Sequence, residues 1–246
     1  MPNRLITTII LIIILIGAGA CFTSRAPSIN AANNDFILTW SANSYIPPSY
    51  EGRALPSRGS KIEVFALPVK KLAQNPDYLY YRWLLDDDVV GWANGIGKQS
   101  FKFMAEKWAG DFHKIESQIL DSQQRVILSQ GSIYIKIVNP DILISDPNND
   151  YYSITEKIAT RTGKKIKLTA RPFFFNISKI ADLNFNWRFE DQELFGPNEE
   201  SNPNLLFLTI PKGNLNKTLY KNLYLSASPK SNSGEQASIN LSVEIK

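Results

Sequence analysis

The chain has 246 residues, of which 43% are hydrophobic and 20% are charged, so it can bury sizeable cores and is not disordered by composition. Its net charge of +4 does not indicate a nucleic-acid partner, because residues 35–139 carry 12 Lys or Arg against 11 Asp or Glu, and residues 140–246 carry 13 against 12. One cysteine and one histidine exclude an intrachain disulfide and a Cys/His metal site.

The N-terminal segment carries the strongest local signal. Arg4 precedes an uncharged run from Leu5 to Ala20. As a helix this run would span roughly 24 Å, a little less than the ~30 Å core of a bilayer. We therefore predict that residues 1–21 are a signal peptide or a membrane-anchor helix, followed by a flexible, small and polar tether at residues 22–34.

Two details bear on how this segment is processed. Ala18, Gly19 and Ala20 precede Cys21, and this order resembles the lipobox of bacterial lipoproteins, although Ala18 stands where leucine is usual. The resemblance implies that Cys21 is the lipid acceptor. Lipidation at Cys21, cleavage without lipidation and an uncleaved anchor are three alternatives, and each places the other residues in the cell envelope, on the extracytoplasmic side of the membrane.

A tandem repeat relates the two halves of the chain. At an offset of 104 residues the same residue types coincide: Gly59 with Gly163, Ile62 with Ile166, Ala66 with Ala170, Pro68 with Pro172, and Trp83 with Trp187. Chance does not readily place the same Gly, Ala, Pro and Trp at one offset. We predict two related domains, at residues 35–139 and 140–246.

The repeated segments alternate apolar and polar residues with a period of two, as half-buried strands do. Ile62, Val64 and Ala66, for example, alternate with Lys61 and Glu63. Further short apolar segments, separated by turn residues, bring the total to about seven strands in each half: FILTWS, SFKFMA, IESQIL and SIYIKIV in the first, and DILIS, LLFLTI, LYLSAS and SINLSVEI in the second. The pattern predicts an all-β fold with two β-sandwiches.

Two segments show a competing helical pattern. Ala105, Trp108, Phe112 and Ile115 fall at helical spacing, but the corresponding segment of the second half contains Pro and Gly. We therefore predict strand, loop with at most one helical turn, then strand. SITEKIA, residues 153–159, carries a capping-box pattern and predicts a short helical turn.

The order of these segments resembles a known family. An I-x-V-x-A-x-P strand is followed by an aromatic-x-Trp strand and an acidic turn, in YRWLLDDD and FNWRFEDQ. This looks like the immunoglobulin-like and PKD-like modules found in tandem on exported bacterial proteins, although the PKD-type Gly-Asp-Gly turn is absent. The resemblance covers residues 35–246. It implies that Trp83 and Trp187 lie between the sheets, and that the modules bind, space or adhere without catalysis.

The motifs that suggest catalysis are weak. GWANGIGKQS, residues 91–100, lacks the spacing and the following helix of a phosphate-binding loop. His113 is interpreted as a surface histidine, because no nucleophile-elbow motif accompanies it. The alternative is a surface hydrolase acting on polysaccharide or peptide, which would need a deep cleft lined by two or more acids.

Two further groups are candidate binding residues. Asp146, Asn148 and Asp150 supply oxygen atoms near the start of the second domain and suggest a calcium ion, the one cofactor we consider, although an ordinary turn explains them equally. Phe173, Phe174 and Phe175 could form a recognition surface or pack beneath a loop. The sequence as a whole predicts a membrane-anchored, non-catalytic cell-surface binding or structural protein, with an unidentified protein or polysaccharide ligand and no nucleic acid.

Overall fold

The structure is a computed structural model that describes residues 35–146, 153–154, 156–194, 202–231 and 234–246. The predicted leader, the tether and the lipidation site at Cys21 lie outside these residues. Regular structure in the described residues consists of β-strands and short 3-10 turns, which confirms the all-β prediction. Within the same residues, no helix has the length and apolar character needed to span a membrane.

The first half of the chain forms two antiparallel sheets. One sheet has the order β1-β2-β6, and the other has the order β4-β3-β7-β8 with β5 added to β3. The strands are β1 Phe36–Ala42, β2 Lys61–Pro68, β3 Tyr80–Leu85, β4 Asp88–Val89, β5 Gly95–Ile96, β6 Ser100–Met104, β7 Phe112–Leu120 and β8 Ile127–Lys136.

The second half repeats this arrangement. Its sheets have the orders β10-β9-β12-β15 and β11-β17-β16-β13-β14. The strands are β9 Asp141–Ser145, β10 Ser153–Ile154, β11 Lys157–Thr160, β12 Lys165–Phe173, β13 Leu183–Phe189, β14 Gln192–Leu194, β15 Leu205–Thr209, β16 Leu219–Pro229 and β17 Ala237–Ile245.

The strand order is that of an immunoglobulin-like sandwich, in which the first two strands share one sheet with a strand from the middle of the domain, and the third strand shares the other sheet with the last two. β1, β2 and β6 form the first set, and β3, β7 and β8 form the second. The two halves differ at one edge. In the second half, β11 pairs in parallel with β17, whereas no described strand pairs with the corresponding edge of β8.

Each pair of sheets encloses its own hydrophobic cluster. One cluster runs from Phe36 to Ile137 and includes Trp83; the other runs from Ile142 to Ile245 and includes Trp187. Both tryptophans are almost fully buried, as the family resemblance implies. The inward-facing residues alternate along the strands, so the period of two seen in the sequence corresponds to the two faces of each sheet.

The offset of 104 residues relates equivalent backbone positions. Gly59 and Gly163 precede β2 and β12, and both adopt the left-handed conformation, with φ of 91° and 74°. A side chain at either position would strain the backbone, which accounts for the repeated glycine. Ala66 and Ala170 are fully buried, where a larger side chain would have no room.

One local prediction needs correction, and another is confirmed. The capping-box turn at residues 153–159 is wrong, because Ser153–Ile154 and Lys157–Thr160 are strands whose ladder bonds take precedence over local helix propensity. The segment between β6 and β7 is a loop without a helical turn. The residues that fall at helical spacing in the sequence are a loop aromatic, Trp108, and inward-facing strand residues such as Ile115.

Candidate functional site

The connection between β1 and β2, residues 43–60, lies against the second sandwich. The Tyr45 N–H donates to the Phe175 carbonyl oxygen (2.7 Å), and the Phe174 N–H donates to the Tyr45 carbonyl oxygen (2.6 Å). The ring of Tyr50 meets the ring of Phe173 edge-on, with 5.3 Å between centroids. These contacts join the loop that follows β12 to the first half of the chain.

The predicted aromatic recognition surface is therefore part of the joint between the two halves. Phe173 and Phe175 are buried, and Phe174 is half-buried in the left-handed conformation, with φ of 63°. Of the two interpretations of these side chains, packing beneath a loop is the one that the structure shows, because the β1–β2 connection covers them. Burial raises the pKa of Tyr45, and the nearby charge of Arg171 opposes this shift only in part.

A hydrogen-bonded network joins the two halves beside this contact. The Ser57 hydroxyl donates to Glu235 Oε1 (2.8 Å), and the Ser60 hydroxyl donates to Asn176 Oδ1 (2.7 Å). Asn176 Nδ2 donates both to Glu235 Oε1 (2.8 Å) and to the Arg58 carbonyl oxygen (2.9 Å). The Asn176 N–H donates to Glu235 Oε2 (3.0 Å), so both carboxylate oxygens are engaged.

A cavity of about 950 Å³ opens next to this network, between the two sandwiches. Its floor includes Ser57 and Glu235, and its wall includes Met104 and Trp108. Trp108 is 67% exposed, and the guanidinium of Arg58 lies 3.8 Å from the centre of its ring. The cation holds the indole in a fixed orientation. The result is a concave surface that combines an aromatic ring with hydrogen-bonding groups, the usual composition of a ligand site.

Two acids line the cavity, the feature that would favour a hydrolase. Glu235 accepts hydrogen bonds on both oxygens from Ser57 and Asn176. Its carboxylate therefore joins the two halves and also presents negative charge at the cavity floor. The other acid is Glu106, whose carbonyl oxygen accepts a hydrogen bond from Arg58 Nε (3.1 Å). The arrangement can hold hydroxyl or amide groups through Glu106 and the polar floor, and an apolar face against Trp108.

His113 is not the surface residue that the sequence suggested. It is buried on β7, where Nδ1 lies 2.7 Å from Asp86 Oδ2 and the ring meets Phe103 edge-on. Nε2 has no hydrogen-bond partner among the described residues. Burial raises the pKa of Asp86, but hydrogen bonds from Lys107, from the Lys114 N–H and from His113 outweigh this effect, so the pKa lies below its ordinary value. The groups that contact Asp86 are thus bases and a backbone amide, without a nucleophilic hydroxyl.

The acidic turns of the two halves have the same structural role. Asp86 Oδ1 accepts a hydrogen bond from the Lys114 N–H (3.0 Å), and Glu190 Oε1 accepts one from the Asn222 N–H (2.6 Å). The backbone bonds also run the other way: the Asp86 N–H donates to the Lys114 carbonyl oxygen, and the Glu190 N–H donates to the Asn222 carbonyl oxygen. Asp86 and Glu190 both have positive φ. The repeated acid therefore closes a hairpin turn onto the neighbouring strand.

The other predicted sites have mixed outcomes. Asp146 directly follows β9 within the described residues, while Asn148 and Asp150 lie outside them, so the calcium site stays a prediction. Among the residues that the structure describes, no three His, Cys, Asp or Glu side chains are grouped to hold a metal ion. Residues 91–100 form a 3-10 turn, Gly91–Ala93, followed by β5 and the start of β6, as expected of a loop between strands.

A shallower cleft of about 400 Å³ lies on the second sandwich. It is lined by Asn184 and Asn186 of β13, Ser226 and Ser228 of β16, and the side of β14. Its lining side chains are mostly uncharged amides and hydroxyls, with Glu193 and the apolar Phe185 and Leu194 beside them, and no tryptophan or arginine lines the cleft. This second cleft offers hydrogen bonds without the exposed indole of the cavity between the sandwiches.

The sequence did not single out Trp108, Arg58 or Glu235 as site residues. Trp108 stood among residues at helical spacing and read as core, yet it falls between β6 and β7 and outside the alternation of both strands. The signal that the sequence offered for this site was an aromatic residue at a loop position, outside the alternating pattern of the strands. The partner of Ser57 across the joint, Glu235, is 178 positions away, and no local pattern indicates such a contact.

Comparison with known proteins gives no family assignment: no protein-family model and no curated protein matches the sequence. Solved structures with a similar overall shape include human CDH23 EC21–23 (12% identity, covering 74% of this chain and 62% of that chain, TM-score 0.27) and chicken CNTN1 FN1–FN3 (10% identity, 78% and 64%, TM-score 0.27). A third is Bacteroides ovatus SGBP-B of the mixed-linkage glucan utilization locus, in complex with a mixed-linkage heptasaccharide (13% identity, 87% and 48%, TM-score 0.25).

This chain spans less than two thirds of the length of each of these three structures. Likenesses with TM-scores of 0.25 to 0.27 carry no argument about this chain, and no property of those proteins is carried over to it.

Proposed function

We propose that the chain is a membrane-anchored, non-catalytic binding protein of the cell envelope that holds its ligand in the cavity between the two sandwiches. The apolar run at residues 5–20 supports the anchoring, and the fold follows the tandem immunoglobulin-like pattern of the bacterial surface modules that the sequence resembles. The observation that carries the binding role is the exposed ring of Trp108, fixed by Arg58 in the wall of a cavity of about 950 Å³.

The chemistry of the cavity favours a polysaccharide ligand. The flat C–H face of a sugar ring can stack on the indole of Trp108, and its hydroxyl groups can bond to exposed polar side chains that line the cavity, such as those of Glu106 and Asn139. The cavity is open on one side and so could admit a segment of a longer chain. An extended peptide with an aromatic or proline side chain is the competing ligand, and the binding assay below distinguishes the two.

The test compares two tryptophans of equal exposure. Trp108 is 67% exposed and lines the cavity, whereas Trp92 is 65% exposed and does not. Residues 35–246 contain both hydrophobic clusters and every described strand pair, so this segment is titrated with soluble polysaccharides and with extended peptides. We expect Trp108→Ala to weaken binding at least tenfold, roughly the effect of removing a central aromatic contact. Trp92→Ala should leave binding unchanged. Equal losses in both variants would contradict the assignment.

The non-catalytic part of the proposal has its own test. Incubation with the bound polysaccharide should release no new reducing ends, and incubation with the bound peptide should release no new amino termini. Turnover that disappears in Glu106→Gln, with binding retained, would show a hydrolase and overturn this part. The mass of the mature N-terminus would distinguish lipidation at Cys21 from simple cleavage and from an uncleaved anchor.

A further inference from the structure

Of the thirteen exposed large hydrophobic residues in the first sandwich, seven lie at one end. These seven have 38% to 72% of their surface exposed: Ile37, Leu67, Tyr78, Ile96, Val126, Ile127 and Leu128. We refer to these seven residues as the apolar end. In the described part of the second sandwich, only Phe207 and Tyr220 are comparably exposed. Single exposed apolar residues are ordinary, but a group at one end of a domain marks a contact surface.

The strand register places the seven residues at the same end. Ile37 pairs with Leu67 where β1 begins and β2 ends. At the start of β3, Tyr80 pairs with both Ile96 and Leu120, and Tyr78 ends the 3-10 turn just before it. Leu120 pairs in turn with Ile127, and residues 122–128 are all exposed in the hairpin between β7 and β8. The joint with the second sandwich is at the opposite end, where β8 ends and residues 56–60 lie.

The position of the apolar end relative to the N-terminal segment indicates what covers it. β1 begins at Phe36, so the chain enters the first sandwich at this end. Residues 21–34 separate it from the apolar run at residues 5–20, and this stretch reaches at most about 50 Å when fully extended. If the apolar run lies in a membrane, the apolar end is the part of the folded chain nearest to the lipid surface.

The charges in the loops at this end nearly balance. Lys70, Lys71, Lys98 and Arg125 are offset by Asp35, Asp77 and Asp121. Lys70 and Asp35 form an ion pair at 3.8 Å, and Asp121 Oδ1 accepts hydrogen bonds from the backbone of its own turn. Attraction to anionic lipids would therefore contribute little, and burial of aliphatic and tyrosine side chains at the membrane interface would provide the affinity.

We propose that the apolar end rests on the lipid surface, with the side chains of Val126, Ile127 and Leu128, at the base of the β7–β8 turn, at the level of the headgroups. This inference rests on the proposed membrane anchoring and adds a second contact to it. It would hold the first sandwich against the membrane and direct the cavity at the opposite end away from it. Tyr78 suits such a position, because a tyrosine places its ring in the interface and its hydroxyl in water.

The experiment uses the full chain reconstituted in neutral phosphatidylcholine vesicles. In a Cys21→Ser background, a solvent-sensitive fluorophore is attached through Val126→Cys or, as a matched control on the second sandwich, through Phe207→Cys. We expect blue-shifted emission and several-fold stronger quenching by lipid-borne quenchers at residue 126 than at residue 207. High salt should leave the difference unchanged. The double substitution Ile127→Asp and Leu128→Asp should abolish it, and Tyr220→Asp should not.

Each other outcome overturns the inference in a distinct way. Equal quenching at residues 126 and 207, with the protein still floating with the vesicles, refutes the lipid contact and leaves the anchoring intact. A blue shift at residue 126 without lipid quenching means that a second copy covers the apolar end. A difference that disappears in high salt refutes apolar insertion. Failure to float with the vesicles at all contradicts the proposed anchoring itself.

Discussion

Replacing Asn176 tests the joint between the sandwiches most directly. Its amide side chain makes three hydrogen bonds. Across the joint it accepts one from Ser60 and donates one to the Arg58 carbonyl oxygen, and within the second half it donates one to Glu235. Ser60 is fully buried, so Asn176→Ala leaves its hydroxyl without its strongest acceptor. Losing hydrogen-bond partners of buried groups costs about 1–3 kcal/mol. We expect the free energy of unfolding of residues 35–246 to fall by that amount.

Asn176→Asp should cost more at neutral pH. It places a carboxylate where an N–H donor lies 2.8 Å from Glu235 Oε1. Two like charges about 4 Å apart in a partly exposed site repel by roughly 4 kcal/mol. As the pH falls, the folded variant takes up a proton more readily than the unfolded chain, because the proton relieves this repulsion. Its stability relative to Asn176→Ala should therefore recover toward pH 4.

Denaturant titration and calorimetry at pH 7 and pH 4 measure both effects, with Asn186→Asp on the outer face of the second sandwich as the matched control. The control should change stability by less than about 0.5 kcal/mol at either pH. If Asn176→Asp were as stable as Asn176→Ala at pH 7, or if its deficit did not shrink at pH 4, the hydrogen-bond network described here would be incorrect.

Three further predictions concern the cores and turns. Trp83→Ala and Trp187→Ala should each lower the free energy of unfolding by about 3–5 kcal/mol in denaturant titrations, because both rings fill the space between two sheets; a loss below 1 kcal/mol would contradict their burial. Gly59→Ala should cost more than Gly110→Ala, since both have φ above 90° but only a Cβ at Gly59 meets Asn176, at 3.3 Å from Nδ2; equal thermal shifts would argue against this contact. Because the pKa of Asp86 is lower in the folded state, its ionised form stabilises the fold at pH values above the ordinary pKa of an aspartate. This contribution is lost as the pH falls through the lower pKa of the folded state. Wild type should therefore lose more stability than Asp86→Asn on acidification below about pH 4, and parallel curves would refute the ion-pair account.

Local patterns predicted the strands well because they reflect which face of a sheet each residue occupies. Ile62, Val64 and Ala66 alternate in the sequence and are all fully buried. The same rule applied to β7 would have placed His113 on the inner face with Ile115. The prediction failed because the competing helical pattern around residues 105–115 left His113 in a segment expected to be a loop, and because Asp86, 27 positions earlier, supplies the partner that makes burial of an imidazole tolerable.

The joint and its cavity could not be predicted from such patterns. Ser57 and Glu235 belong to a connection and a loop, where no period applies, and their contact depends on how the two sandwiches are placed. The aromatic triplet at residues 173–175 was recognisable as unusual, but its sequence does not show whether the covering surface is solvent, a ligand or the other half of the chain. In the structure, Tyr50 covers part of it.

The β1–β2 connection has a consequence for the order of folding. Ribosomes produce the chain from the N-terminus, so residues 43–60 emerge long before Phe175 and Glu235, against which they settle. The first sandwich can form its core early, but residues 43–60 can make these contacts only after Phe175 and Glu235 have been synthesised. Chains stopped after residue 139 should accordingly show rapid amide hydrogen exchange at Tyr45, and slow exchange there in the finished chain would mark the completion of synthesis.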